Sequence, residues 1–141
     1  MTIKSDASLR GKAKALAKEH GLSAQELMQR YFFEHFLMRL ERTRYREHFV
    51  IKGGLLLSAM LGVAQRTTMD LDATVRAMKL DAENLSIATE EICAEDLDDD
   101  VTCKLERVEP IREDDDYGGL RAHLIASFGR MRTPLKIDVT T

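Results

Sequence analysis

Asp70 and Asp72 stand one residue apart, downstream of a Lys52-Gly53-Gly54 turn and an apolar run of helix length. A strand puts residues i and i+2 on one face, so the two carboxylates would point together. Adjacent carboxylates repel unless a cation lies between them, and Mg2+ commonly takes one or two carboxylates plus substrate phosphates. Gly53 and Gly54 let backbone N–H groups approach a phosphate closely, and a helix starting after them would add its N-terminal dipole. Asp138, within Leu135-Lys136-Ile137-Asp138-Val139, occupies another strand-like stretch and could complete the constellation. The chemistry served by such a set is metal-dependent nucleotide transfer. Without the glycine turn, Asp70 and Asp72 would read as two surface acids at a solvated strand end. Lys52 and Arg66 are candidates for phosphate contact, against the plainer readings of a snorkelling surface lysine and a loop anchor.

The elements that must position these residues are legible in outline. Leu9, Ala13, Leu16 and Ala17 recur at helical spacing, which predicts a helix over residues 6–20 stopped by Gly21. Ser23-Ala24-Gln25-Glu26 is a capping box that opens a second, longer helix running to about Glu41. Its apolar residues, from Leu27 to Leu40, make a face broad enough to need covering on more than one side. Residues 15–27 share the outline of a DNA-binding helix-turn-helix. His20 at a usually apolar position and the apolar second helix count against that reading. A short strand is expected over 49–51, a buried helix over 55–61 and a strand over 69–75. A helix capped by Asp81 follows over 81–96, then strands over 101–111, 120–128 and 135–140. The intervening acids Asp96, Asp98, Asp99 and Asp100 read as a solvated turn, and Glu113–Asp116 as a solvated loop. Residues 129–134 read as the loop joining the last two strands.

Bulk properties narrow the class. The chain has 141 residues, 44% apolar and 32% charged, with two prolines, which suits one globular domain or a piece of a larger one. A net charge of −3 argues weakly against non-specific coating of nucleic acid and leaves a local basic patch open. Cys93 and Cys103 match no zinc spacing and no disulfide framework, and read as reduced thiols in a cytoplasmic protein. No secretory signal is visible, and the apolar run at 55–61 is far short of a membrane span, so no membrane partner is expected.

In order, Gly53-Gly54, the apolar 55–61 run, Asp70-Leu71-Asp72 and Asp138 resemble the nucleotidyltransferase superfamily. Within it, Phe49-Val50-Ile51-Lys52-Gly53-Gly54 and Arg66-Thr67-Thr68-Met69-Asp70-Leu71-Asp72 resemble the AbiEii/AbiGii-type toxin family of abortive infection and toxin–antitoxin pairs. The stretch from Glu109 to Gly119 and Pro134-Leu135-Lys136-Ile137-Asp138-Val139 are also typical of that family. The resemblance implies an α+β fold, a nucleotidyltransferase-like mixed β-sheet with N-terminal helices packed on it. Residues 1–48 would brace the sheet and residues 49–141 would form the catalytic core. It implies transfer of a nucleotide from an NTP to an acceptor hydroxyl with Mg2+ or Mn2+. Asp70 and Asp72 would hold metal, Asp138 would bind metal nearer the acceptor, and Gly53 and Gly54 would hold the β- and γ-phosphates. RNA, such as the end of a tRNA, is the suggested acceptor, with small-molecule and protein acceptors open. A cognate antitoxin is the implied partner, and an oligomer is open.

Two departures accompany the resemblance. Gly54 stands where many superfamily members carry serine, so a hydroxyl contact to phosphate is absent. Family members also continue into a helical C-terminal half with a lysine-bearing helix and a further acidic motif, neither of which has a counterpart here. The sequence therefore reads as truncated after the Asp138 strand. The alternative function is a catalytically incomplete fragment that binds nucleotide or a partner without turnover.

Overall fold

The computed structural model describes residues 24–51, 71–111 and 119–141, together with Gly11, Ala15 and Lys18. Those three N-terminal residues are helical; the rest of the first expected helix, Ser23 and the helix expected over 55–61 lie outside the described residues.

Helix α1 spans Ala24–Glu41. It starts directly after Ser23, where a capping box would start it. Phe32, Phe33, Phe36 and Leu40 are buried along it, and this face packs on the sheet, as does that of the second helix. A 3-10 helix over Arg44–Glu47, unforeseen from the sequence, follows; the Thr43 hydroxyl caps it by accepting the Tyr45 N–H at 3.3 Å. Strand β1 is Phe49–Ile51 and strand β2 is Leu71–Val75.

Helix α2 spans Ala82–Cys93, and Asp81 caps it as expected, its Oδ1 accepting the Asn84 N–H at 2.7 Å. The helix stops three residues short of the expected end at Asp96. Asp98 and Asp100 adopt left-handed φ values of 55° and 59°, a conformation Asp tolerates in turns but no helix can continue through. The acidic turn is also not wholly solvated. Asp99 is turned inward, its side chain only 14% exposed, and receives the Arg39 guanidinium at 2.8 and 3.0 Å. Arg39 itself is buried on α1 and donates further to the Val101 and His35 carbonyls. That network ties α1 to the turn between α2 and the next strand.

Strands β3 (Val101–Pro110), β4 (Leu120–Phe128) and β5 (Met131–Thr140) complete a five-stranded sheet in the order β1-β2-β5-β4-β3. Only β2 and β5 run parallel; the other neighbours are antiparallel. The α+β architecture expected from the resemblance, helices packed on a mixed sheet, is the one observed. Strand β5 starts four residues earlier than the sequence suggested, and the expected 129–134 loop reduces to Gly129-Arg130. Gly129 has φ 60°, a left-handed value that lets two residues turn a hairpin. Pro134 falls within the expected loop but lies in the strand; β2 joins β5 only from Ile137 onward, so the missing N–H falls outside that ladder.

The sheet has two unlike faces. Leu71, Ala73 and Val75 of β2, Leu135, Ile137 and Val139 of β5, and Ala122, Leu124 and Ala126 of β4 are buried in the core with α1 and α2. Alternation sends Asp72 and Thr74, Lys136 and Asp138, and Arg121 and His123 to the opposite face. The thiols of Cys93 at the end of α2 and Cys103 in β3 lie 2.8 Å apart and are unbridged.

Candidate active site

Asp72 and Asp138 are direct register partners across the parallel β2–β5 pair. Neighbouring strands lie roughly 4.8 Å apart, and residues paired in register send their side chains to the same face. Two carboxylates are thereby set side by side on the face away from the helices. Both are half-buried, so bulk water screens their repulsion only in part. The same row continues across the sheet. Asp138 is the partner of Arg121 on β4, and Arg121 is the partner of Glu109 on β3. From edge to centre the row reads Glu109, Arg121, Asp138, Asp72.

The contacts along this row are short. Arg121 donates from Nε to Asp138 Oδ1 at 2.6 Å and from its terminal nitrogen to Oδ2 at 3.0 Å. This is the two-pronged geometry that makes arginine–carboxylate pairs strong. The Arg121 and Asp138 side chains are 28% and 18% exposed. Glu109 meets the buried His123 at 2.6 Å. That hydrogen bond draws the Glu109 carboxyl below its usual range, against an opposing effect of desolvation, with help from the charges of Arg107 and Arg121. One row along, Arg107, His123 and Lys136 are register partners and add basic groups to the same face.

Of the residues singled out in the sequence, the structure thus brings together Asp72 and Asp138. Asp70, Lys52, Gly53, Gly54 and Arg66 lie outside the described residues. Among the described residues no cluster of three metal-ligating side chains is present. Arg121, Glu109 and His123 were missed by sequence reasoning, although a signal existed. A two-residue turn at Gly129-Arg130 pairs Phe128 with Met131, and counting outward from that pair brings Arg121 opposite Asp138.

A mixed sheet with α1 and α2 on one face and two acids in register on the other can serve phosphoryl or nucleotidyl transfer, though such a layout is not confined to it. A family model described as nucleotidyl transferase AbiEii toxin, type IV TA system, matches residues 35–141. The chain belongs to that family and is a nucleotidyltransferase of the toxin–antitoxin class. Comparison with curated proteins and with solved structures gave no match. Membership brings with it an NTP substrate and an antitoxin partner in general terms, and the use of a divalent cation typical of nucleotidyltransferases. The residues present fit such a cation. Asp72 and Asp138 offer hard oxygen donors in register, and Asp138 already draws a cationic group onto both of its oxygens. Among the described residues, no helix is long and apolar enough to cross a membrane.

Proposed function

We propose that this site transfers a nucleotidyl group from an NTP to an acceptor hydroxyl on RNA, the end of a tRNA in particular, with Mg2+ or Mn2+ as cofactor. The observation that carries the reading is the in-register pairing of Asp72 with Asp138 on the face away from α1 and α2. Asp70, two residues before Asp72, is the natural third ligand by strand periodicity. Asp72 and Asp138 would hold a divalent cation, which when bound would neutralise triphosphate charge and make the acceptor hydroxyl more acidic. Asp138 takes the proton of the attacking hydroxyl. The acceptor oxygen then bonds to the α-phosphorus while the bond to the departing pyrophosphate breaks. Gly53 and Gly54 hold the β- and γ-phosphates through backbone N–H groups, and Lys52 and Arg66 offset their charge. Arg107 and Lys136, exposed one row along on the same face as the acids, support a polyanionic acceptor.

The test supplies each α-phosphate-labelled NTP with Mg2+ to the protein and purified tRNA. Label should enter the RNA, and Asp72→Asn and Asp138→Asn should stop it. Nucleotide binding without label transfer to any acceptor would favour the binding-module reading instead.

A further inference from the structure

The row Glu109, Arg121, Asp138, Asp72 contains more carboxylates than cations, and its only guanidinium sits on the acid that faces the substrate side. The geometry points to Arg121 as a built-in competitor for the divalent cation: it occupies Asp138 in the metal-free protein and thereby sets how tightly the Asp72–Asp138 pair takes metal. This inference rests on the metal site proposed above.

Three observations carry it. Arg121 engages both Asp138 oxygens, at 2.6 and 3.0 Å, so any cation approaching Asp138 meets carboxylate lone pairs already in use. The pair is partly withdrawn from water, at 28% and 18% exposure, so bulk water screens the guanidinium charge only in part. Finally, Arg121 is held in place by the sheet itself, paired in register with Asp138 on one side and Glu109 on the other. It is a strand residue and not a mobile loop side chain. A guanidinium is always charged and cannot leave by losing its proton. Metal binding must therefore push it off at least one oxygen or share the carboxylate with it, and both weaken the metal. In exchange, the guanidinium offsets part of the repulsion between the aligned acids while metal is absent. Arg121 is by this account a positioning residue: it touches the ligand Asp138, not the nucleotide.

An ordinary outer-shell partner acts in the opposite direction, since its loss costs roughly 10- to 100-fold in metal affinity. The sign of the effect therefore decides. Mn2+ binding is measured by the EPR signal of the free ion, with melting recorded in EDTA and in Mn2+, for the wild type, Arg121→Gln, Arg121→Lys and Asp72→Asn. Arg121→Gln should bind Mn2+ about tenfold more tightly, as expected for removing a unit charge beside the site. It should melt lower than wild type in EDTA, and Mn2+ should raise its melting temperature by more than it raises that of wild type. Arg121→Lys, with the charge but without the two-pronged grip, should fall between the two. It also serves as the deciding variant should Arg121→Gln fail to fold. Weaker or unchanged Mn2+ affinity in Arg121→Gln, or weaker affinity in Arg121→Lys, overturns the competitor role. Unimpaired Mn2+ binding by Asp72→Asn would overturn the metal site itself, and the inference with it, whatever Arg121 does.

Discussion

At the residue scale, the site depends on two carboxylates that lie outside the hydrophobic core, Asp138 being ion-paired with Arg121 on the neighbouring strand. Asp72 and Asp138 lie on the face opposite the core, and their mutual repulsion is a cost to the metal-free protein. Asp72→Asn should therefore cut nucleotide transfer by about 100-fold or more, the scale seen when one preorganised charge-stabilising group is lost. Its stability should stay within about 0.5 kcal/mol of wild type, or rise slightly. Single-turnover transfer and urea unfolding of the same preparation check both halves; an unfolded or fully active variant contradicts the assignment. Asp72 and Asp138 were legible as a set only through the order of motifs in the resemblance, since their register across the parallel β2–β5 pair is not local. Arg121 was not, because its partner lies on another strand and is fixed by hairpin register. Reading Pro134 as a loop residue hid the two-residue turn at Gly129 from which that register is counted.

At the scale of elements, α1 and the α2–β3 turn are locked by a nearly buried ion pair. The Arg39 side chain is 2% exposed and meets Asp99 at 2.8 Å, while His35 Nδ1 lies 2.5 Å from the same carboxylate. Breaking such a pair leaves an uncompensated buried charge. Arg39→Ala should accordingly cost about 3–5 kcal/mol in urea unfolding, and Arg39→Met with Asp99→Asn should recover much of it. Burial alone would push the Asp99 carboxyl up, but the hydrogen bonds from Arg39 and His35 and the Val101 N–H outweigh it and bring it down to about 2. The sign follows: the folded value lies below the unfolded one, roughly 3.9, so the stabilisation is complete above that value. It is lost as pH falls toward and through about 2. Comparing wild type with Asp99→Asn between about pH 5 and pH 2 should show wild type losing about 1–2 kcal/mol more, after allowance for solvent screening. The sequence announced the helices by periodicity and caps, and Asp81 is the clearest case. It did not announce this lock. Four acids between 96 and 100 look alike in composition, and only the left-handed turns at Asp98 and Asp100 select Asp99 to face inward.

For the whole molecule, stability and chemistry are divided between the two faces of one sheet. On the covered face, Phe33 and Leu124 are fully buried among the residues that join α1 and α2 to the strands. Phe33→Ala should cost about 3–5 kcal/mol, because a cavity is left that rigid strands cannot fill. The other face carries the ion pair of Arg121 with Asp138 and the acids of the site, and a ligand that binds there only to the folded chain must stabilise it. At 100 times its dissociation constant such a ligand contributes about 2.7 kcal/mol, which for a chain of this size raises the melting temperature by several degrees, on the order of 5–15 °C. Mg2+ with an NTP should produce that rise in wild type and in Phe33→Ala alike, the second from a lower baseline. EDTA should abolish it, and Asp72→Asn should lack it from the start. Differential scanning fluorimetry on the three proteins measures all of this at once. If Phe33→Ala lost the ligand response while still folded, or Asp72→Asn kept it, the two faces would be coupled in a way that this sheet, with its core on one side and its acids on the other, gives no reason to expect.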